Sequence, residues 1–171
     1  AVFYAVFGIP LGRLADSWYR TKQISLAVGF WSIMTALSGL AKSFVPLAVC
    51  RFGVAVGEAG ASPAALSLLY DYFSPKVRTT VVGIYAAGVS IGAGIGLFLG
   101  GAILNAWSNA WPDPSLAPFG LKGWQAAFMV VGLPGLLLSL LIWTLKEPLR
   151  GQVDALTAPD NANPVAPLPA V

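Results

Sequence analysis

Histidine is absent from this chain, cysteine occurs once (Cys50), and charged residues make up only 10% of it. Each scarcity removes a class of function. One cysteine leaves no disulfide within the chain. Without histidine there is no Cys/His zinc site and no Ser-His-Asp or Cys-His catalytic set. Ordinary soluble domains carry about 25% charged residues. This chain has less than half of that and is 57% apolar, too little polar surface to cover itself in water. The composition is that of an integral membrane protein, all-α, and no enzyme activity, metal centre or cofactor is expected. The net charge of +3 does not point to nucleic acid. The basic residues cluster at the ends of apolar stretches, which is the membrane pattern.

Windows of about 20 residues place five apolar spans, at 1–15, 24–41, 46–72, 80–107 and 124–145. Trp107, Trp111 and Trp124 flank one connection and mark an interface, where indole rings anchor. The chain opens on Ala1 within apolar sequence, with no charged segment and cleavage site typical of a signal peptide, and reads as a fragment of a longer protein. Residues 151–171 are rich in Ala, Pro and Asn without apolar periodicity and read as a flexible cytoplasmic linker. Arg13, Arg20 and Lys22 lie in the first junction, Lys76 and Arg78 in the third, and Lys146 and Arg150 after the fifth span; the intervening junctions hold only Lys42 and Lys122. The excess of Lys and Arg puts the first, third and fifth junctions in the cytoplasm of a multi-pass protein of the inner or plasma membrane.

Two charges break the apolar run of the third span: Arg51 and Glu58. A charge at membrane depth costs about 2.5–3.5 kcal/mol on insertion scales, so it is retained where it pairs or lines a polar path. Seven helical steps of about 100° return the chain to nearly the same face, about 10.5 Å further on. Arg51, Glu58 and Ser62 therefore share one face. Gly53, Gly57, Gly60, Ala64 and Asp71 fall on the opposite one, where small residues admit a close neighbour. Read structurally, the two charges form an ion pair; read functionally, they meet a solute. In the fourth span Gly88, Gly92, Gly96 and Gly100 recur every four residues, a stripe for helix packing.

The first junction runs Gly12-Arg13-Leu14-Ala15-Asp16-Ser17-Trp18-Tyr19-Arg20-Thr21-Lys22. It resembles the loop between helices two and three of major facilitator superfamily transporters, Gly-x-Leu-Ala-Asp-Arg-x-Gly-Arg-Lys. Gly12, Leu14, Ala15, Asp16 and Arg20 match, while Ser17 and Tyr19 depart from it. The string Arg51-Phe-Gly-Val-Ala-Val-Gly57-Glu58-Ala59, with Ser62-Pro63-Ala64 and Tyr70-Asp71-Tyr72-Phe73, is similar to helix four of the spinster-like branch. So are Gly132-Leu-Pro-Gly135 and Lys146-Glu147-Pro148-Leu149-Arg150-Gly151.

The resemblance implies helices two to six of the N-terminal six-helix bundle over residues 1–150, and five transmembrane helices. Helix one and the C-terminal half of the same chain are then missing. It implies secondary active transport by alternating access, coupled to protons, of a small amphipathic or anionic, lipid-like solute. Arg51 and Ser62 would contact that solute, and Glu58 would exchange the proton. Gly12, Asp16, Arg20, Asp71 and Arg78 would form a cytoplasmic gate, with Arg20 or Arg78 on Asp71 and with Asp16 at a helix N-terminus, where the dipole stabilises a carboxylate. The alternatives are a sugar-acid or organic-anion transporter of the same superfamily and a non-transporting membrane scaffold. Gly92-Ala93-Gly94 stands where antiporters have a glycine followed by proline, which gives antiport no support.

Overall fold

A computed structural model describes residues 2–151 and 153, with side chains from residue 6 onward. All but Gly151 and Val153 of the expected linker lies outside the described residues. Five α-helices follow one another: α1 (Val2–Ser17), α2 (Arg20–Ser38), α3 (Phe44–Tyr72), α4 (Pro75–Ala110) and α5 (Gly123–Trp143). A short 3-10 turn, Pro118–Gly120, precedes α5. No strand occurs among the described residues. The connections are tight where the sequence provides turn chemistry. Ser74 is extended because it precedes a proline, and Pro75 opens α4 where its missing N–H costs nothing.

α2 is the central helix: it packs on α3 and α5, with α1 against α3 and touching α2, and α4 against α5. Its pattern is the reverse of a water-soluble core helix. Thr21, Gln23, Ser25, Ser32 and Ser38 are buried, whereas Leu26, Phe30, Ile33 and Leu37 are exposed. Lipid tails are as apolar as leucine, so helices gain little by hiding leucines from them. Close approach and interhelical hydrogen bonds hold them together instead. Ser25 Oγ donates to the Ser139 carbonyl at 2.7 Å and Ser139 Oγ donates back to the Ser25 carbonyl at 2.8 Å, which ties α2 to α5. Gln23 Nε2 bridges the carbonyls of Leu11 in α1 and Gly60 in α3 at 2.9 and 3.0 Å. α3, α4 and α5 are each long and apolar enough to cross a membrane. α2 is more polar, and its polar groups are turned inward.

Glycines set the spacing of this bundle. A Cβ at Gly57 would lie 3.0 Å from Trp31 Cβ and 3.1 Å from the Ala27 carbonyl, and one at Gly53 would lie 2.7 Å from the Met34 side chain. Both face α2, on the side of α3 opposite Glu58. Gly132 of α5 is as close, but to backbone, its Cβ falling 2.7 Å from the Ala36 nitrogen. The stripe in α4 behaves differently from the expectation. Added Cβ atoms at Gly88, Gly92, Gly96 and Gly100 meet nothing within 4 Å, and α4 buries no residue. The stripe therefore packs on no described residue, because α4 stands at the edge of the bundle.

The helices run back and forth, so the three basic junctions meet at one end of the bundle. Arg20, Asp71, Lys146 and Arg150 are within one hydrogen-bonded cluster there. Lys42 and Lys122 come together at the other end, around one cavity. With Cys50→Ser as background, Ser17→Cys and Ser115→Cys, both exposed, should react with an impermeant maleimide from opposite sides of the membrane; labelling from the same side would reverse the reading. Gly132→Val should destabilise the protein in detergent by about 1–3 kcal/mol, the usual cost of overpacking, because the clash is with backbone that cannot rotate away. Leu26→Val, on the exposed face of α2, should leave the thermal midpoint within a degree or two.

Candidate functional site

Arg20 begins α2 and is only 1% exposed, the largest fully buried side chain described. A guanidinium taken out of water is tolerated only when its N–H groups are all engaged. Here they are. Nη1 pairs with the Asp71 carboxylate of α3 and donates to Ser67 Oγ at 3.0 Å. Nε donates to Glu147 Oε1 at 2.8 Å, and Nη2 donates to the Pro148 carbonyl at 3.3 Å. One arginine thus joins α2, α3 and the segment that follows α5.

The helix ends around it are capped by the same logic. Glu147 Oε2 accepts from the Thr21 backbone N–H and hydroxyl, both at 2.9 Å. It occupies the positive end of the α2 dipole, where a carboxylate is stabilised. Arg150 covers the C-terminus of α1, its Nη2 donating to the carbonyls of Ala15 at 2.7 Å and Trp18 at 2.9 Å. Arg78 covers the C-terminus of α3, donating to the Tyr70 carbonyl at 2.7 and 3.0 Å and to that of Phe73 at 3.1 Å. Cations belong at these negative dipole ends. The Gly151 N–H closes the cluster onto Asp71 Oδ1 at 3.0 Å.

Of the residues expected at a cytoplasmic gate, Arg20 and Asp71 meet and Arg78 lies at the adjoining helix end. Arg20, not Arg78, is the partner of Asp71. Asp16 does not sit at a helix N-terminus. It is exposed, and its main-chain carbonyl accepts from Arg150. The N-terminus of α2 is held by Glu147. Gly12 faces open space. Glu147 is the residue that motif reading missed as a site. Its signal was present: a carboxylate just past an apolar span, beside a basic junction and before a proline, with no helix of its own to cap.

Burial alone would raise the Glu147 carboxyl, but the hydrogen bonds from Thr21 and Arg20 outweigh it and hold the group below the ordinary carboxylate range. A depressed carboxyl stabilises the fold above its unfolded pKa, about 4.3, and that contribution is lost as pH falls through the folded value.

The second constellation lies on α3. Arg51 is half-buried and directed toward α2 and α5. Its Nη2 donates to Ser38 Oγ at 2.6 Å, and its guanidinium carbon sits 4.6 Å from the Phe128 ring centroid, a cation–π contact. Its Nε is buried and has no hydrogen-bond partner among the described residues. Two turns on, Glu58 is exposed. The two do not form an ion pair. Ser62 Oγ reaches the Glu58 carbonyl at 3.5 Å, the outer limit of a hydrogen bond. The polar face of α3 thus carries an arginine without a carboxylate partner and a carboxylate open to whatever faces it.

Residues 1–170 match the family described as Major Facilitator Superfamily. The chain belongs to that superfamily. Two crystal structures of a bacterial homologue of the human lysosomal transporter Spinster, one inward-facing and occupied and the other inward-facing and unoccupied, are 40% identical to it. They align with TM-scores of 0.71 and 0.70 over 89% and 88% of this chain. The probable L-galactonate transporter of Escherichia coli is 28% identical over 93% of this chain, and Drosophila melanogaster spinster 25% over 88%. The chain spans between 22% and 35% of the length of these relatives. Spinster proteins and transporters of sugar acids and organic anions are thus both among the relatives it resembles within this superfamily of membrane transporters. The described residues are helical, and the family and its apolar helices make it a membrane protein.

Arg20→Ala should cost about 3–5 kcal/mol, the cost of leaving buried carboxylates uncompensated, and Arg20→Lys should recover only part of it because the planar fork is lost. The thermal midpoint in detergent should fall between pH 5 and 3 in the parent protein. That fall should be smaller in Glu147→Gln, which is less stable at neutral pH and has no carboxylate to protonate. An unchanged pH profile in that variant would show that other groups carry the acid response.

Proposed function

We propose that this chain forms the cavity wall and cytoplasmic lock of a proton-coupled secondary transporter that moves a small amphipathic or anionic solute by alternating access. The observation that carries the reading is Arg51: a charged group held at membrane depth by a serine and an aromatic ring, with one N–H unsatisfied and no acid beside it. Such a group is kept for an anion supplied from outside the helix. Its planar fork suits a phosphate or carboxylate. Glu58, on the same face and free of Arg51, then carries the proton. In relatives of this kind two halves rock about a site near the bilayer midplane. Residues 1–150 would supply helices two to six of the first half, and residues 151–171 the cytoplasmic linker toward the second.

The spinster relatives favour a lipid-like anion. The L-galactonate transporter favours the neighbouring reading, in which the same arginine takes the carboxylate of a sugar acid or organic anion. Both readings use the same residues and differ in the solute. The Arg20–Asp71–Glu147 cluster serves as the cytoplasmic gate. Its ionic contacts hold that end of the bundle in one arrangement, and the excess of Lys and Arg in these junctions supports its lying on the cytoplasmic side of the inner or plasma membrane.

Transport by the full-length protein tests the proposal. Arg51→Ala should lose binding of anionic solutes by tenfold or more, the loss expected when a charge-assisted hydrogen bond of about 1.5–3 kcal/mol is removed, and Arg51→Lys should restore it in part. Glu58→Gln should abolish proton-driven accumulation while solute exchange persists. If Glu58→Gln leaves the pH dependence of transport unchanged, the carboxylate is structural and coupling lies elsewhere.

A further inference from the structure

The end of the bundle away from the charge cluster holds a cavity of about 590 Å³, within the range of sites that take small ligands. Its walls come from the end of α2, the loop after it, the segment before α5 and the first turns of α5. Leu40, Met129 and Trp124 line it with apolar surface, and Phe119 closes one side. Lys42 and Lys122 stand on its rim. These are the two basic residues of the junctions in which positive charge is otherwise scarce, brought together from opposite halves of the chain. Neither ammonium has a carboxylate partner among the described residues.

The other polar group in the wall is already used. Gln125 donates through Nε2 to the Ala41 carbonyl at 3.1 Å and accepts the Lys122 N–H at 3.0 Å. No acidic residue lines the cavity. Asp113, in the same connection, accepts the Ser115 N–H at 2.9 Å. The α5 N-terminus also opens here and adds a positive dipole end. An apolar hollow with two free cations at its mouth selects one chemistry: a negative headgroup on an apolar chain. The surroundings favour a membrane source. Phe119 is 97% exposed, and its backbone φ of 57° is in the left-handed region that side chains rarely adopt. Leu116, in the same connection, is exposed as well, and Trp107, Trp111 and Trp124, which mark an interface in the sequence, flank that connection.

We propose that this cavity is a binding site for an anionic amphiphile, its headgroup on Lys42 and Lys122 and its chain against Leu40, Trp124 and Met129. The site is separate from the Arg51 face: Arg51 does not line it, and its occupancy does not depend on transport.

The test places the full-length protein in zwitterionic phosphatidylcholine nanodiscs. Each sample is doped with a brominated-chain probe: phosphatidylglycerol, a fatty acid, or phosphatidylcholine itself. The signal is the quenching of Trp124, taken as the difference between the parent and Trp124→Phe. An anionic probe should occupy the site about fivefold more readily for each lysine that holds it. Quenching by phosphatidylglycerol alone identifies a lipid headgroup as the ligand, and quenching by the fatty acid alone identifies a free amphiphile. The double variant Lys42→Gln, Lys122→Gln should reduce both to the phosphatidylcholine level at an unchanged thermal midpoint. Should Trp124→Phe not fold, the number of anionic lipids retained in native mass spectra of the parent and the double variant gives the same comparison. Equal quenching by all three probes, or a double variant that keeps its anionic preference, would overturn the site.

Discussion

Arg20 carries a full charge, lies out of water, and touches three segments that are distant in the chain. It can be buried only because Asp71, Glu147, Ser67 and the Pro148 carbonyl converge on it. That requirement propagates. Asp71 must end α3 on the side facing α2. The chain leaving α5 must turn back so that Glu147 reaches both Arg20 and the first turn of α2. Once it has turned, Arg150 falls over the end of α1, and its donors satisfy carbonyls that the helix leaves open. Removing one partner leaves the others charged and buried, so the cluster holds or fails as a unit.

The membrane interior obeys a different rule from this end. Between α2, α3 and α5 there is little apolar surface to be hidden, since lipid accepts it as readily as protein does. What joins the helices is the reciprocal Ser25–Ser139 pair, the Gln23 bridge and glycines that let backbones touch. The leucines and phenylalanines of α2 are left for lipid or for further helices. This also explains the ease with which α4 stands at the edge with its glycine stripe open.

The polar face of α3 stands between these regimes. Its opposite face is spent on contact with α2 and α1, through Gly53, Gly57 and Gly60. Glu58 is thereby turned toward the side that the described bundle leaves free, while Arg51 reaches back to α2 and α5. Arg51 is steadied by Ser38 and Phe128 but not neutralised. Glu58 has no such support, and the separation of the two is what makes distinct tasks for them physically reasonable. An ion pair between them would have quenched both.

Much of this was legible from the residues. Apolar length and charge scarcity determine a helical membrane protein; each of the five expected spans falls on a helix, and three of those helices, α3, α4 and α5, are long and apolar enough to cross a membrane. Helical periodicity separated the exposed Glu58 from the glycine face of α3, but it did not show that Arg51 turns to α2 and α5. The alternation of lysine and arginine named the junctions that gather at one end. The tertiary structure decided the rest: that Arg20 and not Arg78 takes Asp71, that Glu147 and not Asp16 holds a helix N-terminus, that Arg51 turns to Phe128, and that the α4 stripe packs on nothing described. The division has a physical cause. Periodicity and composition are properties of a segment and its solvent, so one chain suffices to read them. A buried charge selects its partner by which segments fold back within about 3 Å of it, and that distance is a property of the whole bundle.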